Sequence, residues 1–370
     1  MNKRILWSAL SGLMALSLLI AACAPAATPT TPTAPTAPTT PTTPTAPKTE
    51  KPPQEPVKPD IETPKYGGTF NFLQTTEILN FDPAIGASPA FGLTNDTLTQ
   101  SDWTKGPAGT GENDFMHLVP DLKGVTGSIV ESWQIPEVGT FIFKIRRGIR
   151  YGLNPASEAS RLVNGRELTA ADIVFTIKRN ATSPAAAIYL AKPEMSRAMT
   201  INETAPWQVT VKMPVDPWGG VERILYGVGG SNSPQPPEVV QKYGNMNNWK
   251  NSVGAGAWIL TDFVSGSVAT LSKNPNYWET DPIGPGKGNQ LPYVDTVKLL
   301  ILRDVSTQLA ALRTGKVDIS MNVIATDAGD LRKTAPRLKF KNRTQNYPLA
   351  IGMRLDKPGL PYQDIRVRQA

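Results

Sequence analysis

An α/β fold is predicted by three features of this sequence. Val297 to Leu302 is a near-continuous apolar strand, Thr307 to Thr314 a short helix and Val317-Asp318-Ile319 a return to strand. All three fall within about 25 residues, a spacing that demands a parallel crossover. Alternating strands recur earlier, most clearly at Thr140 to Arg146, where Phe141, Phe143 and Ile145 share one face and Ile142, Lys144 and Arg146 the other. Helical periodicity stands between such strands, after Thr169. The chain has 370 residues, 40% hydrophobic and 19% charged, enough for one large or two medium domains.

The first 65 residues are of another kind. Lys3 and Arg4 precede an apolar run, Leu6 to Ile20, that is short for a membrane span and ends at Ala21-Ala22-Cys23, the pattern of a secretory signal peptide over residues 1–22. Ile20-Ala21-Ala22-Cys23 resembles the bacterial lipobox, which makes Cys23, the single cysteine, the expected lipidation site. From Pro29 to Pro47 a proline falls at every third position, the period of polyproline II. At about 3.1 Å per residue, the stretch from Ala24 to Lys65 spans up to ~130 Å when extended. Its reading is a lipidated Cys and Pro/Thr-rich linker, residues 23–65.

The folded part opens with the alternating strand Thr69 to Leu73, after which Asp82-Pro83 ends regular pairing. Residues 86–125 are rich in Gly, Asp and Thr and read as loops and short elements. Asn164-Gly165 is a turn dipeptide, and Thr169 with Asp172 three positions on predicts a capped helix carrying Ile173, Val174 and Ile177. Gln208 to Met213 reads as a strand. Trp258 to Phe263 and Val268 to Lys273 flank Ser265-Gly266-Ser267, a hairpin signal. The helix ending at Thr314 presents Leu309 and Leu312 to the core, with Gly315 as the residue that stops it.

Several chemistries are excluded by composition. One Cys leaves no disulfide framework, thiolate zinc cluster or Cys-ligated iron–sulfur centre, and one His, His117, leaves no multi-His metal site. No nucleophile elbow accompanies His117, which reads as a surface or lightly packed residue. Gly284-Pro285-Gly286-Lys287-Gly288 lacks the spacing, the Ser or Thr after Lys and the helix of a phosphate loop, so it reads as a surface turn. Gly254-Ala255-Gly256 lacks a third glycine in register for a dinucleotide fingerprint. The 31 acidic residues leave a hydrolase using paired carboxylates open, although no spacing singles out a pair. Net charge is +7, about +5 once Lys3 and Arg4 are removed, and no basic stripe suits nucleic acid. Trp133, Trp258 and Trp278 sit beside strand edges or helix starts, as core residues or as walls of a ligand site.

Taken in order, several stretches resemble the family 5 extracellular solute-binding proteins, the oligopeptide, dipeptide and nickel-binding components of ABC importers. The resemblance runs through Gly67-Gly68-Thr69, Asp82-Pro83 with Phe81 in a Leu place, Glu131-Ser132-Trp133, and Leu168-Thr169-Ala170-Ala171-Asp172-Ile173. It continues through Gly254-Ala255-Gly256-Ala257-Trp258, Asn274-Pro275-Asn276-Tyr277-Trp278, Leu291-Pro292-Tyr293-Val294-Asp295 and Ala311 to Asp318. Gly152 to Val163 looks like an insertion. Asp364 to Ala370 resembles the start of the family's second lobe, where the chain stops, so the resemblance implies a C-terminally truncated member.

The resemblance implies an α/β, periplasmic-binding-protein-like fold of type II with an extra subdomain, lobe one nearly complete and lobe two largely missing. Its division would be lobe one, first part, at 66–95; the extra subdomain at 96–235; lobe one, continued, at 236–346; and the hinge with the start of lobe two at 347–370. It places ligand contacts on Ser320, Met321, Asn322 and Val323 and, after Asp82-Pro83, on Gly86, Ala87 and Ser88. Asn322 would pair with a peptide backbone through its donor and acceptor. Asn346 and Tyr347 would precede the hinge, with Arg354 where an Asn is common. No catalytic residue, metal or cofactor is implied. The expected partners are a peptide or other small solute, the permease subunits of an ABC importer, and the membrane through the anchor at Cys23; the expected state is a monomer on the outer face of the bacterial cytoplasmic membrane. The alternatives are a surface lipoprotein with an adhesive or chaperone role and binding of a non-peptide solute, an oligosaccharide or nickel chelate.

Overall fold

A computed structural model describes residues 62–86, 88–113, 122–214, 224–225, 232–321, 323–341 and 357–369. Its first sheet uses β1 (Thr69–Gln74), β8 (Trp258–Val264), β9 (Val268–Lys273) and β10 (Thr296–Ile301) in the order β1-β10-β9-β8. β1 and β10 run parallel, with Phe70 opposite Val297 and Phe72 opposite Leu299, while β8 and β9 form the predicted hairpin through Gly266 at φ 72°. Between β1 and β8 lie β2 (Thr99–Ser101) and β3 (Val125–Gly127), a two-stranded ribbon. A second four-stranded sheet is built from β4 (Val130–Glu137), β5 (Thr140–Ile145), β6 (Thr200–Ala205) and β7 (Gln208–Lys212), in the order β4-β5-β7-β6 and antiparallel throughout.

The helices that position the candidate site are α1 (Phe91–Thr94), α2 (Ala170–Thr182), α3 (Val305–Thr314) and α4 (Ala325–Thr334). In α2 the Thr169 and Asp172 capping box is in place, and Ile173 and Ile177 face the second sheet. The α3 helix begins at Val305, two residues earlier than its periodicity indicates, because Asp304 caps it by accepting the Thr307 N–H at 2.8 Å. Gly315 closes it in the left-handed region, as predicted. The crossover from β10 through α3 reaches Ile319, which bridges in parallel to Phe72 on the outer side of β1. Val317-Asp318-Ile319 is thus a single bridge and not the full strand its sequence suggests. The Asp318 carboxylate accepts the Asn71 N–H at 2.6 Å, taking a place a ladder bond would hold.

Both faces of the first sheet are covered. Val297, Leu299 and Ile301 pack with Ile78, Phe81 and Ala90 from the segment that follows β1, and Phe81 meets Phe263 edge to face at 4.9 Å. On the opposite face Leu73 packs with Ala311, Leu312 and Leu331 of α3 and α4. A separate core lies on the second sheet, from Phe141, Phe143, Val209 and Val211 to Ile173 and Ile177. Trp133 and Trp278 lean on this core, partly buried, while Trp258 packs on the first sheet.

Among the described residues, buried polar and backbone contacts join these regions. Asp82 is buried, and its carboxylate takes Arg179 in a bidentate pair at 2.8 and 2.6 Å together with the N–H groups of Ala84 and Met246. Burial raises its carboxyl, but the guanidinium and the two amides outweigh that and hold it below the usual range. The Gly-Ala-Gly stretch lies against residues 94–95: Gly256 N–H donates to Thr94 O at 2.9 Å, and a Cβ on Gly254 would stand 2.0 Å from that oxygen. Close backbone approach, not a nucleotide, explains these glycines. Gly286, in the stretch read as a surface turn, is buried under Tyr293, whose hydroxyl donates to Asp281 at 2.6 Å. The inserted stretch 152–163 carries a helix, Glu158–Val163, ended by Asn164 at φ 53°.

Candidate functional site

Strands that run parallel end at one edge of the sheet, and the loops leaving that edge converge on a common crevice. Here β1, β10 and Ile319 share a direction, so the segments after Gln74, Ile301 and Ile319 emerge together. They are tied side to side. Leu302 N–H donates to Gln74 O at 2.9 Å, Leu73 N–H donates to Ile319 O at 3.2 Å, and Arg303 pairs with Glu77 at 2.8 Å. Gln74 turns back on its own loop, donating to Thr76, and Gln308 of α3 donates to Leu302 O at 2.7 Å. Each loop therefore leaves the sheet from a fixed starting point.

This edge presents both polar and apolar side chains to solvent, with Arg303, Asp304 and Asp318 exposed among the polar ones. Leu79 is 83% exposed, Ile324 64% and Met321 58%, with Val305 and Ile319 also exposed. A cavity of about 420 Å³ lies beside Ile319, Ser320, Met321 and Val323, floored by Leu312 and Leu331, with Arg337, Lys339 and Lys341 among its walls. A smaller one, about 100 Å³, is walled by Val305, Leu309, Ser320 and Ile324, with Asp327 beside them. The arrangement offers apolar contact with cations close by. Among the described residues no three His, Cys, Asp or Glu side chains are grouped to hold a metal ion.

Of the residues the sequence points to, Ser320, Met321 and Val323 line the larger cavity together. Asn322 and Ala87 lie outside the described residues, as do His117, Asn346, Tyr347 and Arg354. Ser88 does not line that cavity. It stands before α1, where its carbonyl accepts the Phe91 N–H at 3.0 Å and its Oγ is buried with no hydrogen-bond partner among the described residues. The adjoining residues Pro89, Gly92 and Leu93 wall an apolar cavity of about 490 Å³ over Phe70, Phe72 and Leu299. Sequence reasoning missed Leu79, Ile324 and the Glu77–Arg303 pair. The signal available for Leu79 and Ile324 was an apolar residue just past a strand end and just before a helix.

The family described as "Bacterial extracellular solute-binding proteins, family 5 Middle" matches residues 124–370. The periplasmic oligopeptide-binding protein OppA of Salmonella typhimurium is 23% identical over 275 residues, covering 68% of this chain and 45% of its own. The probable deoxycholate-binding periplasmic protein YgiS of Escherichia coli is 26% identical over 265 residues, covering 65% and 43%. Among solved structures, the oligopeptide-binding protein AppA from Bacillus subtilis, in complex with a nonapeptide, superposes with TM-score 0.54 at 20% identity, over 73% of this chain and 47% of that one. The fold is therefore that of the periplasmic peptide-binding proteins, and the chain spans about half the length of the curated relatives it matches.

Proposed function

Because this chain belongs to the bacterial extracellular solute-binding proteins of family 5, we propose that it binds a small solute, a peptide by preference, and delivers it to the permease of an ABC importer. The observation that carries this reading is the exposure of three large apolar side chains, Leu79, Met321 and Ile324, in the segments that leave β1, β10 and Ile319. Apolar side chains gathered at the crevice of an α/β sheet are where such a fold takes a ligand. In this reading Ser320, Met321, Asn322 and Val323 face the solute, and Ala87 and Ser88 form a second contact segment. Residues 66–95 and 236–346 make up lobe one, 96–235 an extra subdomain and 347–370 the passage to a second lobe. Cys23 carries lipid, and residues 24–65 hold the lobe off the outer face of the cytoplasmic membrane. Among the described residues no helix is long and apolar enough to cross a membrane.

The test is retention of ligands from a mixture of short peptides, read by native mass spectrometry. Peptide complexes are expected, and Met321→Asp combined with Ile324→Asp should remove them without changing the far-ultraviolet circular dichroism. A chain that retains no peptide from the mixture contradicts the reading. Binding of an apolar non-peptide solute is the second reading, favoured by the same apolar side chains and by the likeness to a relative named for deoxycholate. Retention of a bile acid with no retention of peptide would select it. Labelled palmitate should enter the wild-type chain in a bacterial host, and Cys23→Ala should abolish its incorporation.

A further inference from the structure

Two carboxyl groups face one phenol where the segment between α1 and β2 meets the loop after β9. The Tyr277 hydroxyl lies 2.8 Å from Glu279 Oε2 and 3.2 Å from Asp96 Oδ1. On the far side of each acid a further donor is already committed: Trp278 Nε1 donates to Asp96 Oδ2 at 2.8 Å, and Gln100 Nε2 donates to Glu279 Oε1 at 2.5 Å. A phenol has a single proton to give. With both carboxyls ionised, one of its two contacts would set lone pair against lone pair. The shorter contact takes the phenol proton, so the Asp96 contact needs a proton of its own.

We propose that Asp96 is held protonated, donating to Tyr277, which donates to Glu279, and that release of the Asp96 proton to solvent loosens this stitch between the two sheets. The groups around Asp96 agree with it. Its own segment offers Asn95 and Gln100, which are uncharged. The loop after β9 offers Tyr277, Trp278 and Glu279. From the end of β5, Arg146 lies over the Trp278 ring, 4.5 Å from its centroid, with its Nε given to Ser128 O. Burial, with Glu279 beside it, pushes the Asp96 carboxyl up to about 7 against the opposing hydrogen bond from Trp278. The place matters because Thr94 and Asn95 are the residues on which Gly254 and Gly256 pack, and Trp278 rests on the core of the second sheet.

The sign follows from linkage. Between the ordinary carboxylate pKa of about 4 and the raised value, the folded chain holds a proton that the unfolded chain has lost. This stabilisation therefore falls as pH rises through that window. The test follows the Trp278 indole N–H resonance of the whole chain against pH. The expected midpoint is near 7, lowered but still above the ordinary carboxylate range in Glu279→Gln, where burial remains, and absent in Asp96→Asn. Asparagine can still donate to Tyr277 and accept from Trp278, so the melting temperature of Asp96→Asn relative to the wild type should rise between about pH 4 and about pH 7 and level off above. A midpoint near 4 in the wild type, or an indole signal that ignores pH between about 5 and 8, overturns the proposal. Should Asp96→Asn fail to fold, the wild-type indole titration decides alone.

Discussion

Asp82 is part of the Asp82-Pro83 turn signal that its sequence makes plain, yet the partners that fix it, Arg179 and Met246, stand far along the chain and leave no local trace. An ion pair this buried shows its strength when broken, since the remaining charge keeps its desolvation cost and loses its partner. Arg179→Met should lower the unfolding free energy by about 3–5 kcal/mol, measured by urea denaturation at neutral pH. Because the Asp82 carboxyl is held below its usual range, its contribution is complete above the unfolded pKa and is lost as pH falls through the folded one. The gap between wild type and Arg179→Met should accordingly shrink in acid, below about pH 4. Gly254 behaves similarly: its motif could be read, but the reason for the glycine is the Thr94 oxygen 2.0 Å from a Cβ that is not there. Gly254→Ala should fall among the severe substitutions, costing more than about 3 kcal/mol by the same denaturation.

At the scale of elements, legibility followed how local the cause is. The α2 helix was readable because Thr169 and Asp172 sit in its own first turn, and the β8–β9 hairpin because its turn and its alternation lie side by side in sequence. The end of α3 was visible in Gly315, whereas its start was hidden because Asp304 precedes the apolar periodicity. Replacing the cap tests that account: Asp304→Ala should cost about 1 kcal/mol, read from the urea midpoint, and leave the far-ultraviolet spectrum nearly unchanged. The bridge at Ile319 was overestimated as a strand because an apolar-acid-apolar triplet carries no sign that the Asp318 side chain will occupy a backbone donor. Pairing of β1 with β10 was also illegible, since nothing in either strand names a partner so distant.

For the whole molecule, the crossover pattern of the sequence indicated an α/β fold, and its resemblance to a known family, not its geometry, pointed to the loop at Ser320 to Val323. It did not indicate that Ser88 would stand apart from this loop's cavity, nor that Leu79 and Ile324 would complete the exposed edge. Those are consequences of how the segments after β1 and after Ile319 fold over the sheet, a matter of packing between distant residues. We propose that the solute binds at this edge. Amide hydrogen exchange of the whole chain, with and without the peptide mixture, tests it most directly. Added protection is expected over residues 74–79 and 317–324 and none over β4 to β7. Protection confined to the second sheet, or none anywhere under saturating peptide, would contradict it.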